Sequence, residues 1–501
     1  MVHNLRSGFY LSSLLAVVTS LAGCIDSRGI VPQANRLNDT ELVTDKAIQN
    51  AAEEAAWPSQ QWWKAYGDPQ LDAWIEQAMV DSPSLAQARA RVRQAQAMAG
   101  IAEAMEEPQI NLDVQLQRKR WPDDFFYGPS TLNRNTTWNN LSNLQFSYDL
   151  DLWGRLRNNQ ERALDLARIV ATEERAAELE LASNIVRTYI QLALHYEELA
   201  IVEASLKQRE ELLHLAERNL RMGLGTHLEV TEAEAPIPNV HRQLDIVHED
   251  IALACNQLAA LAGKGPGEGA RLKRPKLSLH AEPALPSSLP LELLGRRPDV
   301  VASRWQVAAE ARGIEVAKAE FYPNVNLLAS VGSMAVEGGM LHFLQYANLV
   351  TTFGSAISLP VYDGGRRRGN LSATTAGYDI AVEQYNQTLV MALKNISDLL
   401  IRMHSLHEQG EFIKHGLETA ERRYELAQNA YERGLVDYRR VLEAQTELFK
   451  QQRLREQVHA SQLSTQAGLW VALGGGVLDA ENNPADEKLK ARDVTLRNFF
   501  D

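Results

Sequence analysis

Few side chains in this sequence are spaced for chemistry. His404 and His407 stand three positions apart, and His241 and His248 seven, so on a helix each pair would share one face at metal-ligand spacing. Neither pair has a Cys or Met cluster beside it, so histidines on exposed helix faces are the expected state. Acidic pairs are abundant, but long helices always offer them. No phosphate-cradling loop and no nucleophile elbow is present. Cys255 sits in the apolar run Ile251 to Leu261, where a buried inert thiol is expected. The sequence therefore predicts no enzyme, no cofactor and no metal site.

The other cysteine, Cys24, has a context of its own. Arg6 supplies positive charge, Leu11 to Val18 is a short apolar core, and Leu21-Ala22-Gly23-Cys24 follows. This is the small-residue end of a secretory signal, and it looks like a bacterial lipobox. The expectation is a lipoprotein signal peptide over 1–23, lipid on Cys24 and an N-terminal arm over 24–56. Ile25, rather than Asp, after the cysteine is similar to lipoproteins sorted to the outer membrane of Gram-negative bacteria. Lipid on one residue anchors a chain but does not span a bilayer. Beyond the signal no run of about 18 apolar residues exists, so any membrane-spanning part must be β. The net charge of −13 leaves no basic surplus to neutralise nucleic-acid phosphates.

The elements that must position these residues come twice. Pro83 to Leu112 and Pro298 to Leu327 align at a shift of 215 without a gap, placing Pro83 on Pro298, Arg89 on Arg304, Pro108 on Pro323 and Asn111 on Asn326. Each copy is a helix-period run, a proline that stops it, and then alternating apolar and polar residues. Such self-similarity marks an internal duplication. The first repeat, 57–263, is expected to hold strands at about 109–117 and 142–153 and long helices at about 155–222 and 227–262, the last interrupted by Pro236 and Pro238. The second, 296–474, is expected to hold strands at about 324–333 and 349–361 and long helices at about 365–433 and 437–473. Residues 264–295 read as a linker rich in Gly and Pro, and 475–501 as a polar tail. Ile185, Leu192, Leu199, Leu206, Leu213 and Leu220 keep a seven-residue step, a coiled-coil seam that requires partner helices.

Strands of about ten residues can cross a bilayer when tilted, but four cannot close a barrel, and an open edge cannot sit in lipid. Three copies give twelve strands, an even-numbered closed barrel. The expected fold is mainly α with a membrane β-barrel: two helix-strand-strand-helix repeats per chain, and a trimer whose 12-stranded β-barrel is continuous with a tube of helices.

Specific stretches carry a resemblance. Trp62-Trp63, Gly67-Asp68-Pro69, Leu71, Asp151-Leu152-Trp153-Gly154-Arg155, Leu294 to Asp299, Phe321-Tyr322-Pro323, and Gly434-Leu435 before Val441-Leu442-Glu443-Ala444 resemble the TolC-like outer-membrane factors, in particular the lipoprotein branch of drug-efflux systems. The resemblance covers about residues 57 to 475. It implies a homotrimeric exit duct with a periplasmic α-helical barrel, lipid-anchored in the outer membrane and extending into the periplasm. It further implies passive conduction of small molecules such as drugs, with a periplasmic adaptor (a membrane fusion protein) and an inner-membrane transporter completing the route. By the same resemblance, the tips Met222, Gly223, Leu224 and Arg433, Gly434, Leu435 would meet the adaptor. Glu443 would be an acidic gate residue and Tyr431 an aromatic one that tethers the closed state. Arg440 stands where some relatives carry a second acid, which leaves open an acidic ring or an Arg440–Glu443 pair within one helix. The alternatives are a channel for protein secretion and a non-conducting coiled-coil spacer lipoprotein; a spacer would need no alternating ten-residue strands.

Overall fold

The computed structural model describes residues 27, 29–37, 48, 58–122, 132, 134–278 and 296–476. The expected signal peptide, Cys24, most of the arm and of the tail, and residues 279–295 of the linker lie outside the described residues. The elements, in order, are α1 (Pro69–Asp81), α2 (Pro83–Ala104), β1 (Gln109–Arg120), β2 (Thr136–Leu150), α3 (Arg155–Arg221), α4 (His227–Glu234), α5 (Ile237–Leu261) and a single turn, α6 (Pro266–Gly269). The second half adds α7 (Pro298–Ala319), β3 (Asn324–Ala335), β4 (Leu349–Ser358), α8 (Arg366–Glu432) and α9 (Tyr438–Ala472). No helix among the described residues is long and apolar enough to cross a membrane.

Some boundaries differ from the sequence expectation, for physical reasons. β2 starts at Thr136 rather than about 142, because it pairs along the whole length of β1, Arg120 standing opposite Thr136. β4 stops at Ser358 rather than 361, just before Pro360, which has no N–H to donate. The expected break at the prolines lies at Ala235–Pro236, between α4 and α5. The glycine-rich connection after β3 contains two 3₁₀ turns, His342–Leu344 and Tyr346–Asn348, which the sequence did not predict.

The chain divides into two compact units that cut across the repeats, since each repeat contributes to both. The first comprises the described residues of Met1–Arg36, Arg93–Ile169 and Ser303–Tyr385. It holds one antiparallel sheet of order β1-β2-β3-β4, with β1 and β4 as open edges. The register puts Leu112 opposite Leu144, Leu144 opposite Val331 and Ala329 opposite Phe353. Directly paired residues share a face. One face therefore carries Ile110, Leu112, Val114, Leu116, Leu144, Phe146, Val325, Leu327, Val331, Phe353 and Ile357. The opposite face carries Asn111, Asp113, Gln115, Gln117, Asn143, Gln145, Asp149, Asn326, Ser330 and Thr352. This is the apolar-out, polar-in pattern of a membrane strand.

Both long helices start in this unit by the same device. Asp151 accepts hydrogen bonds from the Leu156 and Arg157 backbone N–H groups at 3.1 and 2.9 Å. Asp363, 212 positions on, accepts from Gly365 and Arg367 at 3.1 and 3.2 Å. The Arg367 guanidinium also bonds Asp363 and holds its carboxyl below the usual carboxylate range. The reversal before α3 runs through Gly154 at φ +71°, a conformation that L side chains rarely adopt.

The second unit comprises the described residues of Leu37–Val92, Val170–Ala302 and Asn386–Asp501. Its main core gathers Trp62, Tyr66, Leu71, Ile75, Leu85, Ile185, Tyr189, Leu192, Leu258 and Leu463. Asp68 is buried and ties this core to the extended segment after α6. It accepts from the Gln70 and Lys276 N–H groups, each at 2.9 Å, and from the Tyr189 hydroxyl at 2.8 Å. Burial pushes the Tyr189 phenol up, so it stays a donor at any physiological pH. Away from this core the heptad seam thins. Val202, Val240 and Val247, with Leu199, Leu206 and Leu244, hold α3 to α5, and Leu417, Ala420 and Leu448, with Tyr424, hold α8 to α9. Cys255 is buried in the main core, where desolvation raises its thiol pKa.

Candidate functional site

The two hairpin tips are built alike. At the first, the Gly223 N–H donates to Leu220 at 3.0 Å and the Leu224 N–H reaches back to Asn219 at 2.9 Å. At the second, Gly434 donates to Tyr431 at 2.8 Å and Leu435 to Ala430 at 2.9 Å. This is the Schellman stop of a helix, with Gly223 and Gly434 both at φ +71°. Thr226 then caps the returning helix, its backbone N–H donating to the Glu229 carboxylate at 2.9 Å while its hydroxyl accepts from the Glu229 N–H at 3.3 Å. Asp437, at the matching position, accepts from the Arg440 N–H at 3.2 Å. Between stop and cap the chain has no interior to enter, so Leu224 (77% exposed) and Leu435 (73%) project into solvent beside Met222 and Arg433.

The expected gate residues lie on the two helices that meet at the second tip, Tyr431 on α8 and Arg440 and Glu443 on α9. Tyr431, near the end of α8, packs against Tyr438 at the start of α9, ring centroids 4.9 Å apart and planes inclined by 55°. Burial, reinforced by the Glu211 carboxylate, pushes the Tyr438 phenol up. Glu443 is exposed, while its neighbours Val441, Leu442 and Ala444 are buried and fix its helix face. Two guanidiniums reach it: Arg440 at 3.1 Å and Arg439 at 3.4 Å. Of the two arrangements left open by the sequence, the intrahelical Arg440–Glu443 pair is therefore present. Arg439 is a partner that sequence reasoning missed, although its spacing of four from Glu443 was legible. Such exposed pairs stabilise their own helix by only about 0.3–0.5 kcal/mol each. From α3, the Gln208 amide donates to the Leu442 carbonyl at 3.4 Å and Arg209 to the Thr446 hydroxyl at 3.3 Å. These contacts fix α9 at the level of Glu443, and no sequence signal pointed to them.

The four histidines stand on exposed helix faces, and His404 lies 3.5 Å from Glu408 on its own helix.

The model of the family described as outer membrane efflux protein matches residues 74–264 and 289–475. The chain belongs to that family. Its function is accordingly that of an outer-membrane channel, an exit duct for efflux and not an enzyme. Over 365 residues it is 49% identical to the fusaric acid resistance protein FusA of Burkholderia cepacia, covering 73% of this chain and 69% of the relative. It is 31% identical over 418 residues to the pyoverdine export outer membrane protein OpmQ of Pseudomonas aeruginosa, covering 83% and 87%. Among solved structures, the outer membrane protein VceC of Vibrio cholerae matches with a TM-score of 0.76 at 34% identity, over 84% of this chain and 100% of that one. Channels of this family are trimeric and work with pump components. A non-conducting spacer is excluded by this membership.

The tip geometry gives a direct test. A Cβ added to Gly434 would meet nothing within 4 Å, so Gly434→Ala should act through its backbone alone. It should destabilise the αL turn by about 1–2 kcal/mol and raise amide exchange at Tyr431 to Leu435, leaving the sheet unchanged. An exchange pattern identical to wild type would show that the αL geometry is not what holds the tip.

Proposed function

We propose that this efflux duct is gated at its second hairpin tip and that small organic acids are among its cargo. The observation that carries the gate reading is the pairing of Glu443 with both Arg439 and Arg440. A ring of three bare carboxylates would repel itself and any anion. With two guanidiniums beside each carboxylate, the aperture has no acidic excess, which suits an anionic cargo. The resistance named for the Burkholderia relative, to fusaric acid, supports the same cargo class. Tyr431 packed on Tyr438 would hold α8 and α9 together when closed, and opening would be a shift in population biased by the docked adaptor. The exposed Leu224 and Leu435, with Met222 and Arg433, are proposed as the adaptor contacts, and an inner-membrane transporter would supply the cargo.

The N-terminal cysteine completes this reading. Cys24, outside the described residues, would carry the lipid that anchors the mature chain beside its barrel. Mass spectrometry of the N-terminal peptide should find a diacylglyceryl thioether on Cys24; a peptide continuing unmodified through Cys24 would overturn the anchor.

Two measurements test gate and cargo. In planar bilayers, wild type should show small conductance with weak ion preference. Glu443→Ala should raise conductance and favour anions, and Arg440→Ala should favour cations. Unchanged currents in both variants would remove the gate assignment. Deletion of the gene should sensitise cells to fusaric acid and restore no sensitivity to neutral dyes; unchanged tolerance of the acid would reject the cargo class.

A further inference from the structure

The connection after β3 does not leave the sheet for solvent. It folds back over the apolar face. Asn140 and Ala335 stand opposite each other on that face, one rung beyond Ser142 and Ser333. Both are covered, Asn140 to 1% and Ala335 to 8% exposure, while Met334 on the polar face remains 51% exposed. The Asn140 amide donates to the Met340 carbonyl at 2.6 Å and its oxygen accepts from the Gln117 N–H at 3.0 Å. The Thr137 hydroxyl donates to the Val336 carbonyl at 2.6 Å. Phe343 is tucked in at 4% exposure. The segment 336–348 is therefore fastened to β2 by polar bonds, from Asn140 on the apolar face and from Thr137 on the opposite one.

Its other side is apolar and uncovered. Leu341 and Leu344 are each 62% exposed and Tyr346 89%. In the chain they lead directly into Leu349 and Phe353, which lie on the apolar face of the strands. This end of the sheet is opposite the ends joined to α2, α3, α7 and α8, and so opposite the periplasm. At the same end, Arg118 and Arg120 fall on the apolar face of β1, opposite Trp138 and Thr136. Both are exposed, and neither makes an ion pair among the described residues. Guanidiniums at the edge of a lipid-facing band, next to aromatic and aliphatic side chains, match a lipid with acyl chains below and phosphate above.

We propose that residues 336–348 form a collar seated in the outer leaflet, and that with Arg118 and Arg120 it holds the phosphorylated glycolipid of that leaflet. The collar lengthens the apolar band beyond the strands, and the two arginines fix its depth. It is a site for a lipid of one leaflet, built from none of the residues proposed for gate or adaptor.

The test uses the full-length trimer in bilayers containing the glycolipid. Nitroxides are placed by Leu341→Cys, Leu344→Cys and Tyr346→Cys, with Cys255 replaced by Ala and Cys24, whose thiol the lipid would block, retained. Phe353→Cys reports the lipid face and Gln145→Cys the polar face. Accessibility to oxygen above that to a water-soluble nickel chelate, as at 353, is expected at all three collar positions. Values like those at 145, or low values for both reagents as under a neighbouring copy, would overturn the collar. Retention of lipid is then read by native mass spectrometry. The variant R118Q/R120Q, checked to remain trimeric, should retain the glycolipid about thirtyfold more weakly, roughly fivefold per arginine. Unchanged retention, or equal retention of phosphatidylglycerol by wild type, would overturn the headgroup assignment.

Discussion

An open sheet edge cannot sit in hydrocarbon, because each unpaired backbone N–H and C=O there lacks water. That constraint governs this molecule. One chain makes four strands whose inner neighbours are fully paired, yet β1 and β4 each present a free edge. The family's trimeric state removes both edges at once, since three copies bring twelve strands whose edges pair with one another. The apolar side chains that stand bare on one chain, Phe353 and Ile357 among them, are then lipid-facing and not a defect.

The same sequence must also serve water. The switch is made at Pro108 and Pro323, where a helix-period run gives way to a two-residue alternation. It is reversed at Asp151 and Asp363, where a carboxylate accepts the first free N–H groups of a 67-residue helix. A glycine with positive φ lets the chain turn there without strain. The duplication repeats both devices at nearly constant spacing, so each repeat solves the same two-solvent problem with the same chemistry.

The far ends of the helices are stabilised differently from the centre. Around Asp68 and Tyr189 many buried groups cooperate, so the core is hard to open. At the tips, burial thins to one seam per hairpin, and the polar contacts near Glu443 are exposed and individually weak. Sparser burial at that end would suit the proposed gate, because a partner can shift a weakly held equilibrium with modest binding energy.

Periodicity, prolines and glycines are local signals, and they carried most of the architecture: the duplication, all four strands, the long helices and both tips followed from the sequence alone. Family and membrane location were legible in motifs such as Asp151 to Arg155 and Leu294 to Asp299. What the sequence could not decide were choices made between segments distant in the chain. Whether Glu443 stands alone or shares two guanidiniums depends on rotamers and on which face of α9 is buried. The hold of Gln208 on α9 joins residues 234 positions apart. The fold-back of 336–348 rests on an asparagine in another strand, 200 positions away, whose burial no periodicity encodes. Local chemistry set the elements; only the tertiary structure, by bringing distant polar groups within hydrogen-bond reach, set how they hold one another.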